Sequence, residues 1–333
     1  MSNSKKTIQN NSRRNFLYQS SLASLGLVFM GKNALAANSF FIANPSSKIK
    51  GVQIGAITYS FRSMPGSAEQ LIQYLKEAGI TAIELMGDPA EAYAGSPAGA
   101  MPKMTREEYM KTMEERNAKA RAWRETASMD KFVELRKLFN DAGITIYAYK
   151  PDAALGVKST DGEIDYAMRA AKALGASSVN VEIPTNADHS KRLGEFGLKH
   201  KVYVGYHAHL QATDTAWDLA LSQSAYNAIN LDCGHYIAAG GANTTASLLA
   251  FIEKNHDRIT SMHIKDRKNK VNGSKNMPWG EGDTPLKEVL TLLKTKKYKI
   301  PASIELEYDI PAGSDAVKET KKCFEYAKAI LEG

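Results

Sequence analysis

The chain has 333 residues, 43% of them hydrophobic, with 43 Lys and Arg against 36 Asp and Glu and a formal charge of +7. That is apolar material for one sizeable core, while two cysteines, Cys233 and Cys323, are too few for a disulfide framework. The positive balance does not point to a nucleic acid: five of the basic residues and no acidic one lie in residues 1–36, and without them the charge is +2, whereas a phosphate-tracking surface keeps a clustered basic excess.

Taken in chain order, Lys5, Lys6, Arg13 and Arg14 precede an apolar stretch from Phe16 to Met30, and Ala34-Leu35-Ala36 has the small-x-small form of a cleavage site. The run Ser12-Arg13-Arg14-Asn15-Phe16-Leu17 resembles the signal read by the twin-arginine export machinery, which accepts folded proteins. Residues 1–36 are therefore expected to be an export signal, 37–48 a flexible lead-in, and the mature protein periplasmic. The apolar stretch is too short for a secure span, so no stable membrane insertion is expected.

From residue 49 to 331, strand and helix signals alternate. Strands are expected at Val52–Thr58, Thr81–Met86, Ile144–Tyr149, Ser178–Ile183, Val202–His207, Ala228–Asp232, Ile259–Ile264 and Ser303–Glu307. Amphipathic segments such as Ser67–Ala78, Lys131–Ala142, Asp165–Leu174 and Thr244–Asn255 separate them. Gly79, Gly143 and Gly175 stand where a left-handed residue ends a helix before the next strand. Eight such units in one domain predict a closed (β/α)8 TIM barrel. No strand leads into a G-x-G-x-x-G turn, which argues against a dinucleotide-binding sheet. Residues 87–130 break the rhythm with a Gly/Pro/Ala-rich loop and the charged helix Arg106–Thr126. An insertion after the second strand sits at the barrel mouth, where it is expected to cover substrate.

Period-two alternation gives the inward face of each late strand. It groups Asn180 with Glu182; Gly205 with His207 and His209; Asn230 with Asp232; His263 with Lys265; and Ser303 with Glu305 and Glu307. Glu84 and Met86 share a face of the second strand. The ionisable groups fall at the C-terminal strand ends, where barrels build their chemistry. Glu182, Asp232, His263 and Glu305 form a plausible metal quartet, since four such side chains converging without an ion repel each other. Three carboxylates and one imidazole suit one divalent ion, Mn²⁺ first, with Mg²⁺, Co²⁺ and Zn²⁺ compatible. His207, His209 and His235 are then candidates for substrate hydroxyls, along with Glu84 and Glu307 at the same mouth, and Lys265 for an oxyanion or a site carboxylate.

At these strands the chain resembles the sugar phosphate isomerase/epimerase family, with its xylose isomerase-like TIM barrel, over roughly residues 49–331. The matching pieces are the Glu182 strand, Val204-Gly205-Tyr206-His207-Ala208-His209, Leu231-Asp232-Cys233-Gly234-His235, Ser261-Met262-His263-Ile264-Lys265-Asp266, Trp279-Gly280-Glu281-Gly282-Asp283 and Ile304-Glu305-Leu306-Glu307-Tyr308. The resemblance implies one divalent ion on Glu182, Asp232, His263 and Glu305, with Glu182 and Glu305 also the acid/base pair. It implies a sugar-oxygen contact for His235, and it offers Arg267 as the candidate for the family's Arg after the seventh strand. The implied function is a metal-dependent isomerase or epimerase that passes through an enediolate of a keto-sugar or sugar derivative. The alternatives are a lyase that eliminates a group from 3-keto-glycosides, a metal-dependent glycan hydrolase, and a non-catalytic periplasmic sugar-binding protein. The expected partner is a small carbohydrate, with a homo-oligomer compatible with the sequence.

Overall fold

A computed structural model describes residues 46–97 and 105–333. The expected export signal, most of the lead-in and residues 98–104 of the insertion lie outside these. Eight parallel strands form the centre: β1 (Val52–Ile57), β2 (Ala82–Met86), β3 (Thr145–Lys150), β4 (Ser178–Glu182), β5 (Tyr203–His207), β6 (Asn227–Asp232), β7 (Ile259–Ile264) and β8 (Ala302–Ile304). Each pairs with its neighbours in sequence, and β1 pairs with both β2 and β8, which closes the barrel.

The helices are α1 (Ala68–Ala78), α2 (Gly87–Tyr93), α3 (Arg106–Thr126), α4 (Asp130–Asp141), α5 (Asp161–Leu174), α6 (Ala187–His200), α7 (Asp218–Gln223), α8 (Cys233–Ala239), α9 (Thr245–Asn255), α10 (Leu286–Lys296) and α11 (Ala316–Glu332). Reciprocal capping boxes start α1, α3, α5 and α9, through Ser67/Gln70, Thr105/Glu108, Thr160/Glu163 and Thr244/Ser247. Gly79 and Gly175 end α1 and α5 in the left-handed region, as their place before a strand requires. The apolar faces they set, such as Leu71, Leu75 and Ala78 of α1, pack onto the outer side of the barrel.

Two irregularities decide what faces inward. Ile83 and Glu84 are consecutive, yet they pair with Ile146 and Ala148, so Tyr147 is an extra residue in β3. Thr260 is likewise extra in β7, between the partners of Ile229 and Asn230. A bulge of one residue shifts the alternation and re-aims every side chain beyond it. The eighth strand differs from its expected span, Ser303–Glu307. Its ladder stops at Ile304, because Ser60 takes over the next backbone groups: Ser60 Oγ donates to the Ile304 carbonyl (3.1 Å) and accepts from Leu306 N–H (3.0 Å). Glu305 and Glu307 therefore stand just past the strand, on chain held by the 3-10 turn Thr58–Phe61 that follows β1.

The insertion resolves into α2 and α3, and α3 packs against α5 in the outer helical layer. Its anchor is a buried ion cluster. Arg124 donates to both oxygens of Glu91 (2.8 and 2.9 Å) and to Glu163 (3.2 Å), and Tyr166 donates to Glu91 (3.3 Å).

Candidate metal and active site

The floor of the site is a polar column inside the barrel, rather than the aliphatic layers common in this architecture. Asn180 and Asn230 both donate to Ser261 Oγ, at 3.3 and 2.8 Å, and Tyr147 is hydrogen-bonded to Ser303 across the interior. All of Asn180, Asn230, Ser261 and Ser303 are inaccessible to solvent. With its amide nitrogen facing Ser261, Asn230 uses Oδ1 to accept from His207 Nδ1 at 2.8 Å. This leaves His207 Nε2 as a lone pair. Burial, then the neighbouring His263 and Lys150, push the His207 pKa well down, so the ring is neutral.

His263 lies beside it, ring centroids 4.8 Å apart and fully buried. Its Nδ1 faces Glu305 Oε2 at 3.2 Å and Asp232 Oδ2 at 3.7 Å, while its Nε2 faces Glu84 Oε2 at 3.1 Å. Burial opposes charge on this ring, but Glu305 and Glu84 outweigh it and hold the pKa well above that of a free histidine. Glu84, expected at the mouth, is instead wholly buried beneath His263. Asp232 is the N-cap of α8: its Oδ1 accepts from the His235 backbone N–H at 2.6 Å. Asp232 Oδ2 lies 3.0 Å from Lys265 Nζ without an aligned hydrogen bond. Lys265 also donates to Glu305 (2.8 Å) and Glu307 (2.6 Å). Burial raises the Glu305 pKa, but Lys265 and His263 pull it well below the carboxylate range.

Glu182 stands apart from this group. Its side chain is 44% exposed, with one oxygen 3.2 Å from Lys150 Nζ and the other 3.2 Å from His209 Nδ1. Joining Asp232, His263 and Glu305 around one ion would require it to leave those partners. Lys150 is a site residue that sequence reading missed. It ends β3 and sits between Asp152 (3.0 Å) and Glu182 (3.2 Å); its charge is opposed by burial and favoured by both carboxylates. The available signal was a lysine closing the otherwise apolar and aromatic run Ile146–Tyr149. Its direction depends on the Tyr147 bulge, which alternation cannot foresee.

On the far side, His235 is nearly inaccessible, with Nε2 3.7 Å from Glu307 Oε2 and ring centroids 4.4 Å from His209. Arg267 Nη1 lies 2.6 Å from His235 Nδ1. Arg267, the candidate for the family's arginine after the seventh strand, is thus buried against the histidine. Asp266 ties down the Trp279–Asp283 loop by accepting from the backbone N–H groups of Gly280 (2.9 Å), Gly282 (2.8 Å) and Thr284 (3.1 Å). A Cβ at Gly282 would stand 2.0 Å from Asp266 Oδ1, so only glycine fits there.

Two sets of donor atoms converge within 4.8 Å: His207, Asp232 and His263, and His207, His209 and His235. Of the expected metal quartet, Asp232 and His263 fall in the first set, joined by His207, and neither set includes Glu182 or Glu305; Glu84 lies below and Glu182 to one side. Such a site can neutralise a bound dication, orient oxygens of a polyol, and exchange protons through carboxylates.

The family model described as a xylose isomerase-like TIM barrel matches residues 72–327. No curated protein matches the chain. Among solved structures it is similar to a probable 3-DHS dehydratase involved in petrobactin synthesis from Bacillus anthracis (16% identity, 82% of this chain and 98% of that one, TM-score 0.57). It is also similar to a sugar phosphate isomerase/epimerase from Parabacteroides distasonis (17%, 84% and 96%, 0.56) and to the D-psicose 3-epimerase of Clostridium cellulolyticum (11%, 84% and 99%, 0.57). At these identities the likeness is one of fold.

Proposed function

Since the chain belongs to the xylose isomerase-like TIM-barrel family, we propose that it is a divalent-metal-dependent isomerase or epimerase working through an enediolate of a keto-sugar or sugar derivative. The observation that carries this reading is the meeting of His263 Nδ1 with the Asp232 and Glu305 carboxylates, with Glu84 behind Nε2. A histidine held from behind by a carboxylate, its other nitrogen facing acidic groups, is the usual dress of a metal ligand. Asp232 Oδ2, on the Nδ1 side of His263 and 3.0 Å from Lys265 Nζ, is a buried oxygen with no aligned hydrogen bond, as a site with room for a further cation leaves it. Asp232, His263 and Glu305 fit Mn²⁺ best, being oxygen-rich with one imidazole. A bound dication supplies polarisation of the substrate carbonyl, which makes the neighbouring C–H acidic.

The two glutamates of the acid/base pair take unequal shares. Glu305 is buried and held as an anion, which suits a ligand and a fixed negative wall. Glu182 is half exposed, in reach of both pocket and solvent, and suits the group that takes and returns the proton. His207 orients one oxygen through its free Nε2, and Lys265 bears on a developing oxyanion. Epimerisation and dehydration both begin with proton removal beside a carbonyl, so the likeness to epimerases and to a dehydratase agrees with either outcome on this site. Elimination from a 3-keto-glycoside is the second outcome the same residues support. Location belongs to the same proposal: the leader in residues 1–36 would send the folded protein to the periplasm, which fits a glycan-derived substrate.

The test is incubation of the Mn²⁺-loaded protein with a panel of keto-sugars and 3-keto-glycosides in D₂O. Deuterium entering the carbon beside the carbonyl is the expected result; hydrolysis without exchange would replace this reading with the hydrolase.

A further inference from the structure

The three imidazoles of His207, His209 and His235 have the spacing of a second cation site, yet the hydrogen-bond chemistry of His235 forbids that use. A guanidinium is protonated at any working pH and has only donors. The 2.6 Å contact between Arg267 Nη1 and His235 Nδ1 therefore makes Nδ1 the acceptor. In a neutral ring the proton must then sit on Nε2. A ring whose Nδ1 accepts from a guanidinium carries a single proton, on Nε2, so the contact itself fixes the tautomer. His235 Nε2 is buried without a hydrogen-bond partner; the nearest acceptor, Glu307 Oε2, is 3.7 Å away.

We infer that Arg267 is a positioning residue that locks His235 as an Nε2–H donor to a substrate hydroxyl or alkoxide oxygen and thereby closes the three-histidine cluster to a second metal ion. Arg267 itself is fixed from several sides. Its Nη2 donates to the Ser274 carbonyl (2.6 Å), its backbone N–H to Thr284 Oγ1 (3.1 Å), and its carbonyl accepts from Asp283 N–H (2.7 Å). The guanidinium is engaged by His235 Nδ1 on one side and by the Ser274 carbonyl on the other, and its hold on His235 is what the surrounding loop preserves. This deepens the proposed function, since it assigns a donor to one substrate oxygen and limits the site to one ion.

Histidine-selective ¹⁵N labelling reads the tautomer directly and needs neither metal nor substrate, so this inference and the enediolate reading can fail separately. The His235 signals, assigned by their loss in His235→Gln, are expected to have the pyrrole-type nitrogen at Nε2. Zn²⁺ titration is expected to saturate at one equivalent per chain. Arg267→Met should release the tautomer and add a second equivalent that disappears in Arg267→Met/His235→Gln, while Arg267→Lys, which keeps a donor, should stay at one. A wild-type His235 protonated at Nδ1, or a second wild-type equivalent of Zn²⁺ lost in His235→Gln, would overturn it. Should Arg267→Met not fold, the wild-type tautomer and stoichiometry decide alone.

Discussion

At the scale of single residues, the side chains at the strand ends separate into those that would hold an ion, those that steady the holders, and those that handle protons. Asp232→Asn and His263→Ala should each lose most of the bound divalent ion, measured by elemental analysis, because both groups face the same point from β6 and β7. Glu84→Gln should weaken metal binding by ~10–100-fold, the usual cost of losing the group behind a ligating histidine, and isothermal titration reads this. Unchanged affinity would mean that Glu84 is only a buried counter-charge. Glu182→Gln should keep the ion, since its carboxylate lies against Lys150 and His209, but lower turnover by ~10²–10⁴-fold, as removal of a general base does. Glu307→Gln should be mild in both measurements, because Lys265 retains Asp232 and Glu305. A full metal complement in Asp232→Asn and His263→Ala would dismantle the assignment. Most of this candidate site was legible in the sequence, because one rule, charged groups at the C-terminal ends of strands, picked out Asp232, His263, Lys265, Glu305 and Glu307, which the structure brings into contact. Lys150 escaped because a bulge turned its strand. The depth of Glu84 and the place of Arg267 escaped because both depend on which histidine nitrogen each one meets.

Elements place those residues, and their own stability rests on polar contacts far from the mouth. Arg124 of α3 is enclosed with Glu91 of α2 and Glu163 of α5, all three nearly inaccessible. Arg124→Ala leaves the buried Glu91 without a counter-charge and Glu163 with only the half-exposed Arg121, 3.2 Å away, and breaking such a cluster costs about 3–5 kcal/mol; urea unfolding measures it, and a loss under about 1 kcal/mol, the scale of an exposed pair, would mean that Glu91 finds another partner. Asp165 of α5 ties that helix to α6. Burial raises its pKa, but Lys199, His200 and Arg169 outweigh burial and hold it down to about 2. A depressed carboxylate stabilises above its unfolded pKa of about 3.9, and the benefit fades as pH falls toward about 2. Asp165→Asn should accordingly cost about 1 kcal/mol at neutral pH, a half-exposed pair being worth little more. The gap between variant and wild type should shrink below about pH 4, and a gap that stays constant through the acid range would refute the electrostatic account. Elements were the most readable level of the sequence. Apolar periodicity and capping residues located the strands and long helices to within a few residues, whereas the early end of β8 was hidden because Ser60, 244 residues away in the chain, completes its hydrogen bonds.

For the whole molecule, the site is assembled from Glu84 at one end of the barrel sequence to Glu307 at the other, so only a closed barrel can present it. Both cysteines are buried and free, so the fold gains nothing from an oxidising compartment, which is compatible with the proposed export of an already folded chain. That agrees with the twin-arginine character of Ser12–Leu17, since this route carries proteins already folded. On the proposed route, folding first would also let the proposed ion be bound where the barrel forms, rather than where it works. Replacing Arg13 and Arg14 together with lysine keeps the charge of the leader and removes only the paired guanidinium groups. The double variant should accumulate in the cytoplasm as an uncleaved precursor, and that precursor should match the mature protein in thermal midpoint and in divalent metal per chain. Cell fractionation gives the location, mass spectrometry the cleavage, and elemental analysis the loading. Normal periplasmic delivery of the double variant would eliminate the twin-arginine route. A stranded precursor that is folded but without metal would instead place loading after export, with the barrel crossing empty.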